Sequence, residues 1–150
     1  MAVVILYGSE AGTAEQVAEH LVDVLSEFGD GDVALYDMTD YDPGDLDPED
    51  FHVVVCSTYG DGELPTGAEP FHEALEDDEP DLTGVRFALF GMGDSVYDTF
   101  NRGGEIMAAK LVSLGAEQVG EHARHDASGS VKPTAQAEEW ARKIGAEFLS

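Results

Sequence analysis

The stretch Val3-Val4-Ile5-Leu6-Tyr7-Gly8-Ser9-Glu10-Ala11-Gly12-Thr13 decides the fold. Its first half is apolar at consecutive positions, so a strand built from it has no polar face. Its second half is a turn of small and polar residues. After Thr13 the period changes: Ala14, Val17, Ala18, Leu21, Leu25 and Phe28 recur at three- and four-residue steps, the mark of an amphipathic helix, and Gly29 stands where a helix C-terminal glycine belongs. A strand buried on both faces that feeds straight into a helix is the unit of a parallel sheet covered by helices.

The same alternation continues outward. Residues 33–36 form a short strand candidate. Val53-Val54-Val55-Cys56 and Phe87-Ala88-Leu89-Phe90 are two further apolar runs without a polar face. A helix from about Arg102 to Leu114 ends at Gly115, a weaker strand lies near residues 118–124, and a last helix carries Ala137, Trp140, Ala141, Ile144 and Phe148 on one face. Two acidic stretches, residues 37–50 and 73–81, contain Pro and read as surface loops or helix ends. Five strands alternating with four or five helices predict one α/β domain over residues 1–150. Its core is a doubly wound five-stranded parallel sheet, of order 2-1-3-4-5 and with helices on both faces.

Composition narrows the function. The 150 residues carry 32 Asp and Glu against 7 Lys and Arg, a formal net charge of −25, yet 43% are hydrophobic, so core material is present and disorder is not implied. Such a surface repels nucleic-acid phosphates and anionic membranes and favours cationic partners or a saline medium. A single cysteine, Cys56, excludes an intrachain disulfide and reads as a buried thiol. Residues 1–6 are apolar but too few to span a membrane, and they lack the basic start of a signal peptide. A soluble, cytoplasmic monomer is expected. The five histidines are scattered, so no metal site and no catalytic triad is read. His122 and His125 are expected on opposite faces of the weak strand, and Trp140 in the core.

In a doubly wound sheet, ligands bind beyond the carboxyl ends of the strands. Three loops meet there. Gly8-Ser9-Glu10-Ala11-Gly12-Thr13 enters a helix whose free N–H groups and positive dipole end suit a phosphate. It lacks the Lys of a P-loop and the G-x-G-x-x-G of a dinucleotide fingerprint. Ser57-Thr58-Tyr59-Gly60-Asp61-Gly62 offers an aromatic ring face followed by glycines. Gly91-Met92-Gly93-Asp94-Ser95-Val96-Tyr97-Asp98-Thr99-Phe100 repeats that combination. A phosphate cradle and two aromatic-bearing loops describe a flat ring joined to a phosphate. Each loop alone is equally consistent with a plain strand-to-helix turn, the first one capped by Ser or Thr.

Together, in this order, the three loops resemble those of flavodoxin-like, flavin mononucleotide (FMN) binding domains, and the similarity spans essentially the whole chain. Their wording is nearer to the flavodoxin domains of diflavin reductases and their small stand-alone relatives than to typical bacterial flavodoxins. The resemblance implies a cofactor site formed by Ser9, Glu10, Ala11, Gly12, Thr13 and Ala14 around the phosphate. Ser57, Thr58, Tyr59, Gly60, Asp61, Gly62, Gly91, Gly93, Asp94, Tyr97 and Phe100 would lie along the ring, with Tyr59 and Tyr97 flanking it, and Asp126, beside His125, near it. At Ala11 relatives usually carry Thr or Ser; the missing hydroxyl is worth about 0.5–1.5 kcal/mol.

By resemblance, the function is one-electron transfer between redox proteins, with FMN cycling through quinone, semiquinone and hydroquinone states. Partners with basic docking surfaces are implied, and the acid spread far from the loops suits molar intracellular salt, as in a halophile. The alternative is a flavin-dependent reductase component or quinone reductase of the same fold. A phospho-accepting receiver is disfavoured, since Gly8-Ser9-Glu10 and Thr58-Tyr59 stand where its aspartates belong. Gly60 permits a peptide flip toward the flavin N5. Gly60→Val is therefore expected to lower the yield of the one-electron-reduced flavin in a redox titration; an unchanged yield would contradict the flip.

Overall fold

The computed structural model describes residues 2–10, 12–59, 62–94 and 101–149. Strand β1 (Val3–Gly8) leads into helix α1 (Thr13–Leu25), then β2 (Val33–Asp37), β3 (Phe51–Cys56), α2 (Glu69–Asp78), β4 (Arg86–Gly93), α3 (Arg102–Ser113), β5 (Glu117–Gln118), β6 (Ala123–Asp126) and α4 (Pro133–Ile144). All pairings between these strands are parallel. The order is β2-β1-β3-β4-β5, with β6 also on β4. Register is fixed from Val3 opposite Val33 and Phe51 to Cys56 opposite Gly91.

Alternation along each strand splits the core into two layers. Val3, Ile5, Val53, Val55, Ala88 and Phe90 face α1 and α4, where Leu21, Trp140 and Ile144 pack on them. Val4, Leu6, Val54, Cys56, Phe87 and Leu89 face α2 and α3, against Phe71, Leu75, Met107 and Leu111. Each fully buried aliphatic or aromatic side chain contributes about 1.5–3 kcal/mol. Trp140 tilts against Phe90 at 5.5 Å and donates its indole N–H to the Glu121 carbonyl at 2.7 Å. Cys56 is fully buried, and burial pushes its thiol up to about 12, so it is no thiolate nucleophile.

Three local expectations change. The weak fifth strand is two pieces: after the Val119 N–H bonds the Phe87 carbonyl at 2.8 Å, residues 120–122 leave the ladder. Gly120 adopts a positive φ of 73°, and a side chain there would run into Ile144. β5 therefore pairs with the start of β4 and β6 with its end. His122 consequently lies in the break rather than on a strand face, while His125 on β6 is buried and bonds the Val131 carbonyl at 2.9 Å. The second acidic stretch belongs largely to α2, which buries only Phe71 and Leu75 and keeps its carboxylates outward. The first holds two short 3-10 turns, Met38–Asp40 and Pro43–Asp45, capped by the Asp37 and Asp42 side chains. The last helix continues as a π-type turn, Gly145–Leu149, which stacks Phe148 on Phe51 at 5.6 Å.

His52 buries a charge-capable ring among apolar side chains of this core. His52, at 1% exposure, bonds the Arg86 carbonyl through Nδ1 at 3.1 Å, while Nε2 has no partner among apolar Leu6, Val54, Phe71 and Phe87. Protonation would bury a second N–H without an acceptor, and desolvation lowers the pKa. The unfolded chain thus takes up a proton that the folded chain refuses. His52 contributes its full stability above the unfolded value of about 6.5 and loses it as pH falls toward the folded value. Urea titrations from pH 7.5 to 5 are expected to show wild type losing stability relative to His52→Leu; parallel curves would refute this.

Candidate functional site

The carboxyl ends of β1, β3, β4 and β6 lie side by side, so the loops that follow them start at one edge of the sheet, where a doubly wound fold forms its ligand crevice. Gly12 caps α1 in the left-handed region at φ 90°, with open space where a Cβ would stand and no side-chain cap on the helix. The first-turn N–H groups of α1 are therefore free of intrahelical partners and unscreened by a capping side chain. The Ser9 hydroxyl folds back to accept from the Gly12 N–H at 2.7 Å. This is an uncharged donor nest of the kind that holds a phosphate. The cradle fits the phosphate of FMN.

Of the residues expected around that phosphate, Ser9, Gly12 and Thr13 stand at the mouth of α1. Ala14 is fully buried, so its backbone is what it offers. The Glu10 carboxylate reaches sideways instead, accepting from the Thr66 N–H at 2.6 Å and the Thr66 hydroxyl at 3.0 Å, and these bonds hold its pKa below the usual carboxylate range. Gly67 donates to the Ser9 carbonyl at 3.1 Å, and a Cβ on Gly67 would stand 2.6 Å from that oxygen. The segment 66–68 thus clamps the phosphate loop from behind. Ala11 lies outside the described residues.

The second loop leaves β3 with the Ser57 N–H bonded to the Gly8 carbonyl at 3.2 Å. Tyr59 and Glu63 exchange two backbone bonds of 2.8 Å around a tight turn that contains Gly62, leaving the Tyr59 ring 48% exposed at the crevice rim. Gly60 and Asp61 are outside the described residues. Thr58 turns its hydroxyl to the Gly103 N–H at 2.9 Å. A side chain on Gly103 would collide with the Ser57 carbonyl, so α3 can approach this loop only with glycine there. A depression of about 570 Å³ beside the loop is lined by Gly62, Glu63, Leu64, Glu69, Arg102 and Ile106.

The third loop begins at Gly91, Gly93 and Asp94; Tyr97 and Phe100 lie outside the described residues. Gly91 and Gly93 are filled from behind by Asn101, whose Oδ1 would be 2.6 Å from a Cβ on Gly91 and whose N would be 2.7 Å from one on Gly93. Asn101 itself is fully buried, left-handed at φ 61°, and donates Nδ2 to the His125 carbonyl at 3.3 Å. Asp126 ends β6 nearby, accepting from the Ser128 N–H and hydroxyl, and Ala127 donates to the Gly93 carbonyl at 2.8 Å.

Sequence reading missed Asn101, Gly103 and the Thr66-Gly67-Ala68 clamp. Two signals were available: Asn101-Arg102-Gly103-Gly104 opening an apolar helix, and Pro65-Thr66-Gly67 closing the second loop. Neither says which strand end it meets.

Fold and crevice together define a flavodoxin-like flavin protein. Residues 5–145 match the Flavodoxin family, and the chain belongs to that family. It is an FMN-binding electron carrier. Protein MioC of Escherichia coli K12 is 37% identical over 138 residues, 92% of each chain. NADPH–cytochrome P-450 reductase of Rattus norvegicus is 36% identical over 135 residues, covering 87% of this chain and 20% of the reductase. Among solved structures, a point mutant of flavodoxin from Pseudomonas aeruginosa has a TM-score of 0.84 at 37% identity, with 97% of each chain covered. Oxidised flavodoxin 1 of Bacillus cereus has a TM-score of 0.82 at 26% identity, with full coverage of both.

Gly103→Ala is expected to push the second loop off α3 and weaken FMN binding about 10-fold, equivalent to about 1.4 kcal/mol, with the far-ultraviolet circular dichroism retained. Flavin fluorescence quenching measures it; an unchanged affinity would show that the loop does not depend on this contact.

Proposed function

We propose that this chain shuttles single electrons between separate redox proteins and turns over no substrate of its own. The observation that carries the reading is the uncapped N-terminus of α1 at the same sheet edge as the second loop, where the Ser57 N–H meets the Gly8 carbonyl and Tyr59 is exposed. FMN, when bound, supplies the one-electron chemistry. The α1 N–H groups with Ser9 and Thr13 hold its phosphate, and Tyr59 and Tyr97 flank its ring. Gly62, Gly91, Gly93, Asp94, Phe100 and Asp126 belong to the loops that surround it. Glu10, Thr66 and Gly67 keep the phosphate loop in place.

Electrostatics set the direction of transfer. The bordering loops carry Glu10, Glu63, Asp94 and Asp126, with Arg102 the cation beside the second loop. Negative charge added inside the crevice meets carboxylates and partial desolvation, which favours a low potential and hence donation to a partner.

The partner is a protein with a basic docking face. All seven Lys and Arg lie at or after Arg86, whereas 23 of the 32 carboxylates precede it. That first part of the chain forms β1, β2, β3, α1 and α2; α4 brings Arg142 to Glu27 beside α1, so the least compensated anion lies toward β2, α2 and the loops between them. Such polarity steers a cationic surface to the α2 and second-loop side of the crevice. No helix among the described residues is long and apolar enough to cross a membrane. The acids far from the crevice fit a cytoplasm rich in salt, where the Debye length shrinks from about 10 Å at 0.1 M to about 3 Å at 1 M.

Purified protein is expected to be yellow or to turn yellow on adding FMN, and to accept electrons in two separate one-electron steps. Colourless protein that ignores FMN would overturn the reading, and steady quinone turnover with NADPH alone would favour a reductase. FMN affinity and urea midpoint are both expected to rise as NaCl goes from 0.1 to 2 M; a flat response would remove the saline habitat.

A further inference from the structure

Two buried polar atoms behind the crevice lack hydrogen-bond partners, and they converge on one point. Asn101 is fully buried, and its amide orientation is set by the Nδ2–H donated to the His125 carbonyl, which leaves Oδ1 as a bare acceptor. His122, in the break between β5 and β6, buries its Nε2 without a partner as well. Both atoms approach the Cα of Gly91. A Cβ built there would lie 2.6 Å from Asn101 Oδ1 and 3.3 Å from His122 Nε2. They are thus within about 6 Å of each other, the span one water covers with two bonds of about 2.8 Å. Leaving such groups unsatisfied is costly, and buried waters gather where two or more polar groups face a common space.

We propose that His122 is a positioning residue for the FMN crevice, tied through one internal water to Asn101 Oδ1. The inference rests on the crevice being the flavin site. Asn101 is the side chain through which this matters. It caps α3, fills the space behind Gly91 and Gly93 at the end of β4, and holds the end of β6 through the His125 carbonyl. Its carboxamide has one rotation that satisfies both ends, and the link to His122 selects it. The His122 ring also lines a surface groove with Glu105, Ala108 and Gln118. The link therefore runs from the outer face of α3 to the strand ends that carry the third loop. Gly91 is required for it, since a side chain would displace the carboxamide.

The test pairs His122→Leu, which removes the polar end at similar volume, with His122→Gln, which keeps one. His122→Leu is expected to bind FMN about 10-fold more weakly than wild type, and His122→Gln within about threefold of it. A crystal structure of the wild-type protein, solved with and without FMN, is expected to show a water within hydrogen-bonding distance of both Asn101 Oδ1 and His122 Nε2. Wild-type affinity in His122→Leu, or a loss in His122→Gln as large as that in His122→Leu, overturns the proposal. So does a site with no bridging water in the FMN-free crystals, which decides the matter even if His122→Leu fails to fold. Failure of wild type to bind FMN at all would instead overturn the flavin site while the FMN-free crystals still report on the link.

Discussion

Burial of β1, β3 and β4 on both faces is the constraint from which the rest follows. Ile5, Val53 and Phe90 point into one layer and Leu6, Val54 and Leu89 into the other, so these strands expose neither face. Backbone pairing then occupies their sides. The ends are the parts left to meet a ligand, and parallel direction brings all the carboxyl ends to the same edge. Each strand must also be left by a helix on one face or the other. This places the N-terminus of α1 at that edge, with its free N–H groups aimed outward.

Crowding is the consequence. Four strand ends and two helix starts share an edge where backbones sit closer than side chains allow. Gly67 against Ser9, Gly103 against Ser57, and Gly91 with Gly93 against Asn101 are contacts that a Cβ would prevent. Gly91 and Gly93, read in sequence as lining the ligand, are also spacers between protein segments. Polar bonds then fix what the glycines admit: Glu10 to Thr66, Thr58 to Gly103, Asn101 to His125. A crevice assembled this way has its phosphate loop braced from behind before a cofactor enters, so less binding free energy is spent on ordering it.

This division explains what the sequence made legible. β1, β3 and β4 were readable because a strand with no polar face has a distinct pattern, and α1 because six apolar residues keep helical spacing. The fifth strand was blurred by the positive φ at Gly120, a backbone event that leaves no hydrophobic trace. α2 was only half legible, because it buries only Phe71 and Leu75 and its acids read as a surface loop or a helix end. Motifs pointed to the three loops that leave β1, β3 and β4, since glycine and aromatic residues after buried strands are a local signal. Asn101 was invisible for the opposite reason: its carboxamide acts on a carbonyl 24 residues away, and nothing near it in sequence points there.

The net charge is best understood through the same geometry. A uniform coat of carboxylates would give no direction to an approaching partner. Here the coat is uneven: Arg86 opens β4, and every Lys and Arg follows it. Most cations in the later half sit near its own carboxylates, as in Arg124–Glu105 at 3.3 Å and Lys143–Glu139 at 3.8 Å, worth at most about 1 kcal/mol each, while Arg142 reaches across to Glu27. They contribute little to stability but cancel much of the local field. Strand order 2-1-3-4-5 puts β2 at the sheet edge away from β4, so the acids of β2, α2 and the loops between them are the ones least offset, while α4 lays Arg142 beside α1. High salt would shorten the reach of that field without reversing it, so the orientation of a partner would persist at contact distance while long-range repulsion within the chain fades. On the proposed reading, one distribution of charge would serve tolerance of salt and docking direction at once, and the two are separable because only the second depends on where Arg86 begins the cationic half.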